Sequence, residues 1–153
     1  MTKVVKFGGS SLASAEQFKK VKEIITAESA RRFVVPSAPG KRYASDIKVT
    51  DMLYSCYDSA AKGKDFSDEF KAIKERYYGI ISELGLDLSL ESEFDTIKAC
   101  FIGKAGRDYA ASRGEYLNGI VLANYLGYNF VDAADVIYFN EQGQFDAKRT
   151  NKA

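Results

Sequence analysis

The 153-residue chain contains no histidine. That absence removes the commonest general base and the commonest metal ligand, so a Ser-His-Asp triad is excluded and a structural zinc site nearly so. Cysteine is scarce. Cys56 and Cys100 both stand among apolar neighbours in helix-like contexts, a setting that predicts buried, reduced thiols rather than a disulfide or a metal pair. No apolar run approaches the roughly 20 residues needed to cross a bilayer. The opening MTKVVKF lacks the charged head and apolar stretch of an export signal, and with reduced thiols this predicts a cytoplasmic protein. Charge of one sign is also missing: 22 basic against 21 acidic residues gives +1, and no basic run exceeds Arg31-Arg32. A nucleic-acid partner selects a basic face, so none is expected, nor is a membrane. The chemistry left open belongs to lysine, arginine, carboxylates, hydroxyls, backbone amides, or a metal that a substrate brings; no resident metal site is expected.

What is present is an ordinary globular composition, 46% hydrophobic and 28% charged, in a chain of one-domain length. Such a length buries about 68–70% of the surface of its unfolded form. KVVKF (3–7) reads as a short buried strand by its β-branched content. Ser14 opens a helix, with Gln17 completing a capping box and Phe18, Val21, Ile24 and Ile25 along one face. The helix fades near Ser29, and 32–35 form a second strand. Strand, helix, strand implies a parallel crossover. Both prolines of the chain fall in 36–49, read as a mobile loop. Thr50 then caps a helix carrying Leu53, Cys56, Tyr57, Ala60 and Ala61. Further helices are expected from Phe66 to the Gly85 stop, over 90–102 and over 107–126. Residues 129–132 and 136–139 are strand candidates, and the tail from Glu141 is polar. The expected fold is therefore α/β, an open, mainly parallel sheet flanked by helices, with a helix-rich insert after the second strand.

The segment VVKFGGSS (4–11) carries the clearest chemistry. Paired glycines at a strand end, leading towards a helix, let backbone amides approach an anion closely, and Lys6 adds a point charge. A tight turn beside a solvated lysine explains the same spacing about as well. Neither G-x-x-x-x-G-K-[ST] nor G-x-G-x-x-G occurs, so a P-loop and a dinucleotide fingerprint are both absent.

KFGGSS (6–11) resembles the opening motif of aspartokinases, which belong to the amino acid kinase superfamily. Three further stretches are similar to that family's pattern in the same order: VVPSAPG (34–40), VTDML (49–53) and SRGEYLNGIVLANYL (112–126). Departures are a longer loop from Pro39 to Val49, Pro36 in place of an aliphatic residue, and Asn118-Gly119 where serine and alanine are more usual. The resemblance implies transfer of the γ-phosphoryl group of Mg-ATP to the β-carboxylate of L-aspartate, giving 4-phospho-L-aspartate on the route to lysine, threonine and methionine.

By the same resemblance, Lys6 is the catalytic lysine against the transferring phosphoryl, with Gly8, Gly9 and Ser10 around it. Ser37, Thr50 and Glu115 would hold aspartate, Glu115 through its α-ammonium group. Each has a plain structural alternative: a turn-capping serine, an N-cap threonine, and a glutamate favoured by a helix dipole. Family members are several hundred residues long. The resemblance therefore implies that residues 1–153 are the N-terminal portion of the kinase domain. The nucleotide-binding half and ACT regulatory domains would lie beyond it, and the full-length enzyme would be a homo-oligomer. The alternatives are another superfamily member, such as a glutamate or uridylate kinase, or a non-catalytic amino-acid or phosphate-binding module.

Overall fold

A computed structural model describes residues 1–153. Strand β1 (Lys3–Phe7) pairs in parallel with β2 (Arg31–Pro36), aligning Val5 with Val34 and Lys6 with Val35. Helix α1 (Ala15–Thr26) makes the crossover, and the Ser14 hydroxyl accepts the Gln17 amide as the capping box predicts. Between β1 and α1 the chain makes a 3-10 turn over Gly9–Leu12. The glycines thus lead into this turn, and α1 begins only after it. Fully buried Leu12 anchors the turn in the core.

The insert supplies most of that core. Helices α2 (Val49–Ala61), α3 (Ser67–Glu83), α4 (Glu91–Ile102) and α5 (Arg107–Leu126) follow, with α2 packed on α3, α4 and α5, and α5 on β2. Their apolar faces meet through Leu53, Ile73, Phe94, Ile97, Leu117 and Val121, all 2% exposed or less. Phe70, Tyr77 and Tyr78 pack within 5.9–6.2 Å of the Phe94 ring, two of them tilted and Phe70 edge-on. Gly85 ends α3 with φ +66, the left-handed conformation that favours glycine.

Four sequence expectations are corrected here. First, residues 129–132 and 136–139 form no strands. The Asp132 carboxylate accepts the Ala134 amide and starts a helical turn, α6 (Ala133–Val136). Phe139 only bridges back to Phe145, beyond which lies the short α7 (Ala147–Thr150). Second, β1 and β2 are buried on one face only. Val5, Phe7 and Val34 pack on the core, whereas Val4, Phe33 and Val35 are 68%, 61% and 48% exposed, because the helices cover a single face of the two-stranded sheet. Third, Thr50 is not the cap of α2. Lys48 occupies that position, and the Val49 amide donates to the Pro39 carbonyl, so the helix starts two residues earlier. Fourth, the loop of residues 36–49 is pinned rather than loose, with Ala38, Pro39, Gly40 and Asp46 buried.

Both thiols are reduced, as expected: Cys56 is buried and Cys100 half-buried. Burial pushes the Cys56 thiol up to about 12, so it stays protonated at neutral pH. No helix is long and apolar enough to cross a membrane.

Candidate active site

The carboxyl ends of both strands meet the start of α2 and the middle of α5. The Ser37 amide donates to the Phe7 carbonyl at 3.0 Å, and the Gly40 amide to the Gly9 carbonyl at 2.8 Å. A Cβ at Gly40 would stand 2.6 Å from the Gly9 carbonyl carbon and 2.8 Å from the Ser10 nitrogen. Only glycine fits where the two loops cross. On the other side, a Cβ at Gly114 would lie 2.7 Å from the Ala38 Cβ and 3.3 Å from Leu53, so α5 rests directly on the Ser37 loop and α2. The Asn118 side-chain amide donates to the Ser37 carbonyl at 2.7 Å.

The residues singled out from the sequence stand on the segments around these contacts. Lys6 stands at the end of β1 with Gly8, Gly9 and Ser10 beyond it, and Ser37 follows β2. Thr50 lies in the first turn of α2 and Glu115 beside Gly114 on α5. Lys6, Gly8, Ser10 and Glu115 are exposed, while Gly9, Ser37 and Thr50 are half-buried. Neither Lys6 nor Glu115 takes part in an ion pair. One cation at the end of β1 and one anion on α5 are therefore left with uncommitted charges. The turn beyond Gly8 presents leading amides that have no acceptor within their own helical turn. Lys6 can neutralise an oxyanion, and Glu115 can attract an ammonium.

A groove of about 480 Å³ among Ala60–Lys64, Phe66, Ile102 and Lys104 lies at the opposite end of α2 from Thr50.

Sequence reasoning missed the supports. Asn118 is fully buried, and its Oδ1 has no partner. Its only signal was a polar residue where a small one is usual. Tyr77, also fully buried, donates its hydroxyl to the Gly114 carbonyl at 2.8 Å, and burial raises its phenol well above the usual range. Asp46 is gripped by Arg42 through two side-chain bonds of 2.7 and 2.9 Å and one backbone bond of 2.9 Å, with Arg76 at 3.1 Å. Nothing in the sequence pattern set Tyr77, Asp46 or Arg76 apart.

The Arg42 hydrogen bonds hold the Asp46 carboxyl well below the usual carboxylate range, against the opposing effect of burial. A depressed carboxylate pKa contributes stability that is complete above the unfolded value, about 3.9, and is lost as pH falls below it. We expect Asp46→Asn to flatten the acid side of the stability profile. Urea unfolding between about pH 2 and pH 5 measures it, and an unchanged acid slope would remove Asp46 from that balance.

The chain has well-matched relatives. It is 41% identical to aspartokinase 3 of Bacillus subtilis over 137 residues, covering 86% of this chain and 30% of that protein. It is 35% identical to chloroplastic aspartokinase 1 of Arabidopsis thaliana, covering 82% of this chain and 23% of that protein. The crystal structure of Clostridium acetobutylicum aspartate kinase superposes with a TM-score of 0.94 at 49% identity, covering 99% of this chain and 35% of that one. Escherichia coli aspartokinase III, crystallised with aspartate and ADP, shares the fold with a TM-score of 0.79 at 20% identity. The chain spans about a third or less of the length of these relatives. Its own pattern matches the family from residue 1 to residue 152, and the chain belongs to the amino acid kinase family.

Proposed function

We infer that this chain is the aspartate and phosphoryl portion of an aspartate kinase, and that the whole enzyme transfers the γ-phosphoryl group of Mg-ATP to the β-carboxylate of L-aspartate. The observation that carries this reading is an unpaired Lys6 at the end of β1 beside the glycine turn, with Ser37 after β2 bonded to Asn118 of α5, the helix that also carries an unpaired Glu115 and packs on the Thr50 helix α2. The named relatives, all aspartokinases, support it.

The chemistry suits a chain without histidine. The β-carboxylate, with an ordinary pKa near 3.9, is already ionised at neutral pH and needs no base. One of its oxygens bonds to the γ-phosphorus while the bond to the bridging oxygen breaks, and ADP leaves with the electron pair. Such transfer depends on positioning and on neutralising charge spread over the phosphoryl oxygens. Lys6 supplies the charge and the Gly8–Ser10 backbone the close approach. Ser37 and Thr50 offer hydroxyls to the substrate carboxylates. Glu115 faces the α-ammonium, a contact that distinguishes an amino acid from a nucleotide acceptor. The Mg²⁺ ion neutralises phosphate charge as part of the nucleotide complex. The remaining nucleotide contacts belong to the rest of the enzyme, and the isolated 153 residues should show little or no turnover.

The discriminating experiment offers L-aspartate, L-glutamate and UMP as acceptors to a polypeptide of the relatives' length that carries this sequence. Phosphorylation confined to aspartate is expected. Preference for either other acceptor would move the chain to another branch of the family. In the same polypeptide, Glu115→Gln should raise KM for aspartate about 10–100-fold, the cost of losing one charged hydrogen bond, with a smaller change in kcat. An unaltered KM would remove Glu115 from substrate binding.

A further inference from the structure

Arg76 is 7% exposed, yet it lies on α3, a helix of the insert that holds none of the residues assigned to the reaction. Its guanidinium donates to the Gly40 carbonyl at 2.8 Å, to the Ile47 carbonyl at 3.0 Å and to Asp46 at 3.1 Å. The Ala13 carbonyl, at the far end of the glycine turn, lies 3.5 Å away. One side chain thus reaches both loops that cross at Gly9 and Gly40.

We propose that Arg76 is a positioning residue for phosphoryl transfer, clamping the Gly40 loop onto the Gly9–Ser10 turn so that the backbone beside Lys6 keeps its reactive geometry. This rests on the aspartate kinase reading above. A buried arginine needs its donors satisfied and its charge paired, and this one is satisfied almost wholly by loop carbonyls. The planar guanidinium with its rigid fork of donors spans several acceptors at once, which an ammonium does not. Asp46 fixes the fork from below and is itself held by Arg42. With the clamp closed, the Gly40 amide sits on the Gly9 carbonyl at 2.8 Å, and a contact too close for any Cβ is maintained.

The clamp touches the phosphoryl side but neither Thr50 nor Glu115. Its loss should therefore slow the chemical step more than it weakens aspartate binding. In a polypeptide of the relatives' length, Arg76→Ala should lower kcat about 10–100-fold, the usual cost of a misplaced reacting group, with KM for aspartate changed far less. Free guanidinium ion at low concentration should restore part of the rate by occupying the vacated space, and Arg76→Lys should remain impaired. Phe101→Leu, in the core between α2 and α4, controls for general loss of stability and should keep kcat. In the 153-residue chain itself, Arg76→Ala should speed hydrogen exchange at the Gly40 amide while leaving α4 protected.

Normal kcat in Arg76→Ala, or a loss equal to that of a comparably destabilised Phe101→Leu and insensitive to guanidinium, would overturn the proposal. Faster Gly40 exchange together with a wild-type protein that does not phosphorylate aspartate would instead uphold the clamp and refute the functional reading.

Discussion

Lys6→Ala should abolish turnover while leaving the fold intact. The side chain is exposed and forms no ion pair, so nothing in the folded chain depends on its charge. It stands one residue before the end of β1, opposite Val35 of β2, and beside the glycine turn. In the proposed reaction, a charge held there would act on the phosphoryl oxygens where negative charge is redistributed in the transition state. Removing one preorganised group of that kind costs on the order of 10²–10³ in kcat. The melting temperature should stay within the small range of surface substitutions. Unimpaired phosphorylation would take Lys6 out of the mechanism, and a large fall in stability would mean that its role is structural.

Gly40→Ala should damage both the fold and the site. Its Cβ would meet three backbone atoms of Gly9 and Ser10 between 2.6 and 2.8 Å, and backbone cannot rotate away as a side chain can. The loops must separate, which breaks the Gly40–Gly9 hydrogen bond and pulls the Gly40 carbonyl away from Arg76. Overpacking of this kind costs about 1–3 kcal/mol, with a further loss from the broken bonds. Chemical denaturation measures the stability and a phosphoryl-transfer assay the activity. Gly8→Ala is the matched control, because a Cβ at Gly8 meets nothing within 4 Å. Equal stability of the two variants would contradict the close crossing.

The contrast between these glycines marks what the sequence reveals. Gly8, Gly9 and Gly40 all belong to recognisable motifs, but only the folded backbone shows that Gly40 crosses Gly9 while Gly8 stands in open space. The helices were legible because their apolar residues recur at helical spacing over long stretches, and their bounds moved by only a few residues. The two central strands were legible from β-branched runs. Residues 129–132 and 136–139 read as strands by composition, yet strand formation needs a partner edge. The Asp132 side chain instead offered the backbone a local hydrogen bond.

The glycine motif stood out by its short-range spacing, and Glu115 only through the resemblance to the family. The supports did not. Arg76 contacts groups 29–63 residues away in sequence, and Asn118 reaches Ser37 across 81, separations at which no local pattern exists. Composition made residues 36–49 look mobile, and a buried arginine on a distant helix ties down Gly40, Asp46 and Ile47 within them. The insert, whose role was open in the sequence, contributes both the core and the contacts of Arg76 and Tyr77 with the site.

The most direct measurement is the chemical identity of the phosphorylated product. A polypeptide of the relatives' length carrying this sequence would be incubated with Mg-ATP and L-aspartate, and the acyl phosphate trapped with hydroxylamine for mass spectrometry. The account predicts the β-hydroxamate of aspartate, formed by the wild type and lost in Lys6→Ala. The α-hydroxamate, or no hydroxamate from a folded protein that hydrolyses ATP, would contradict it.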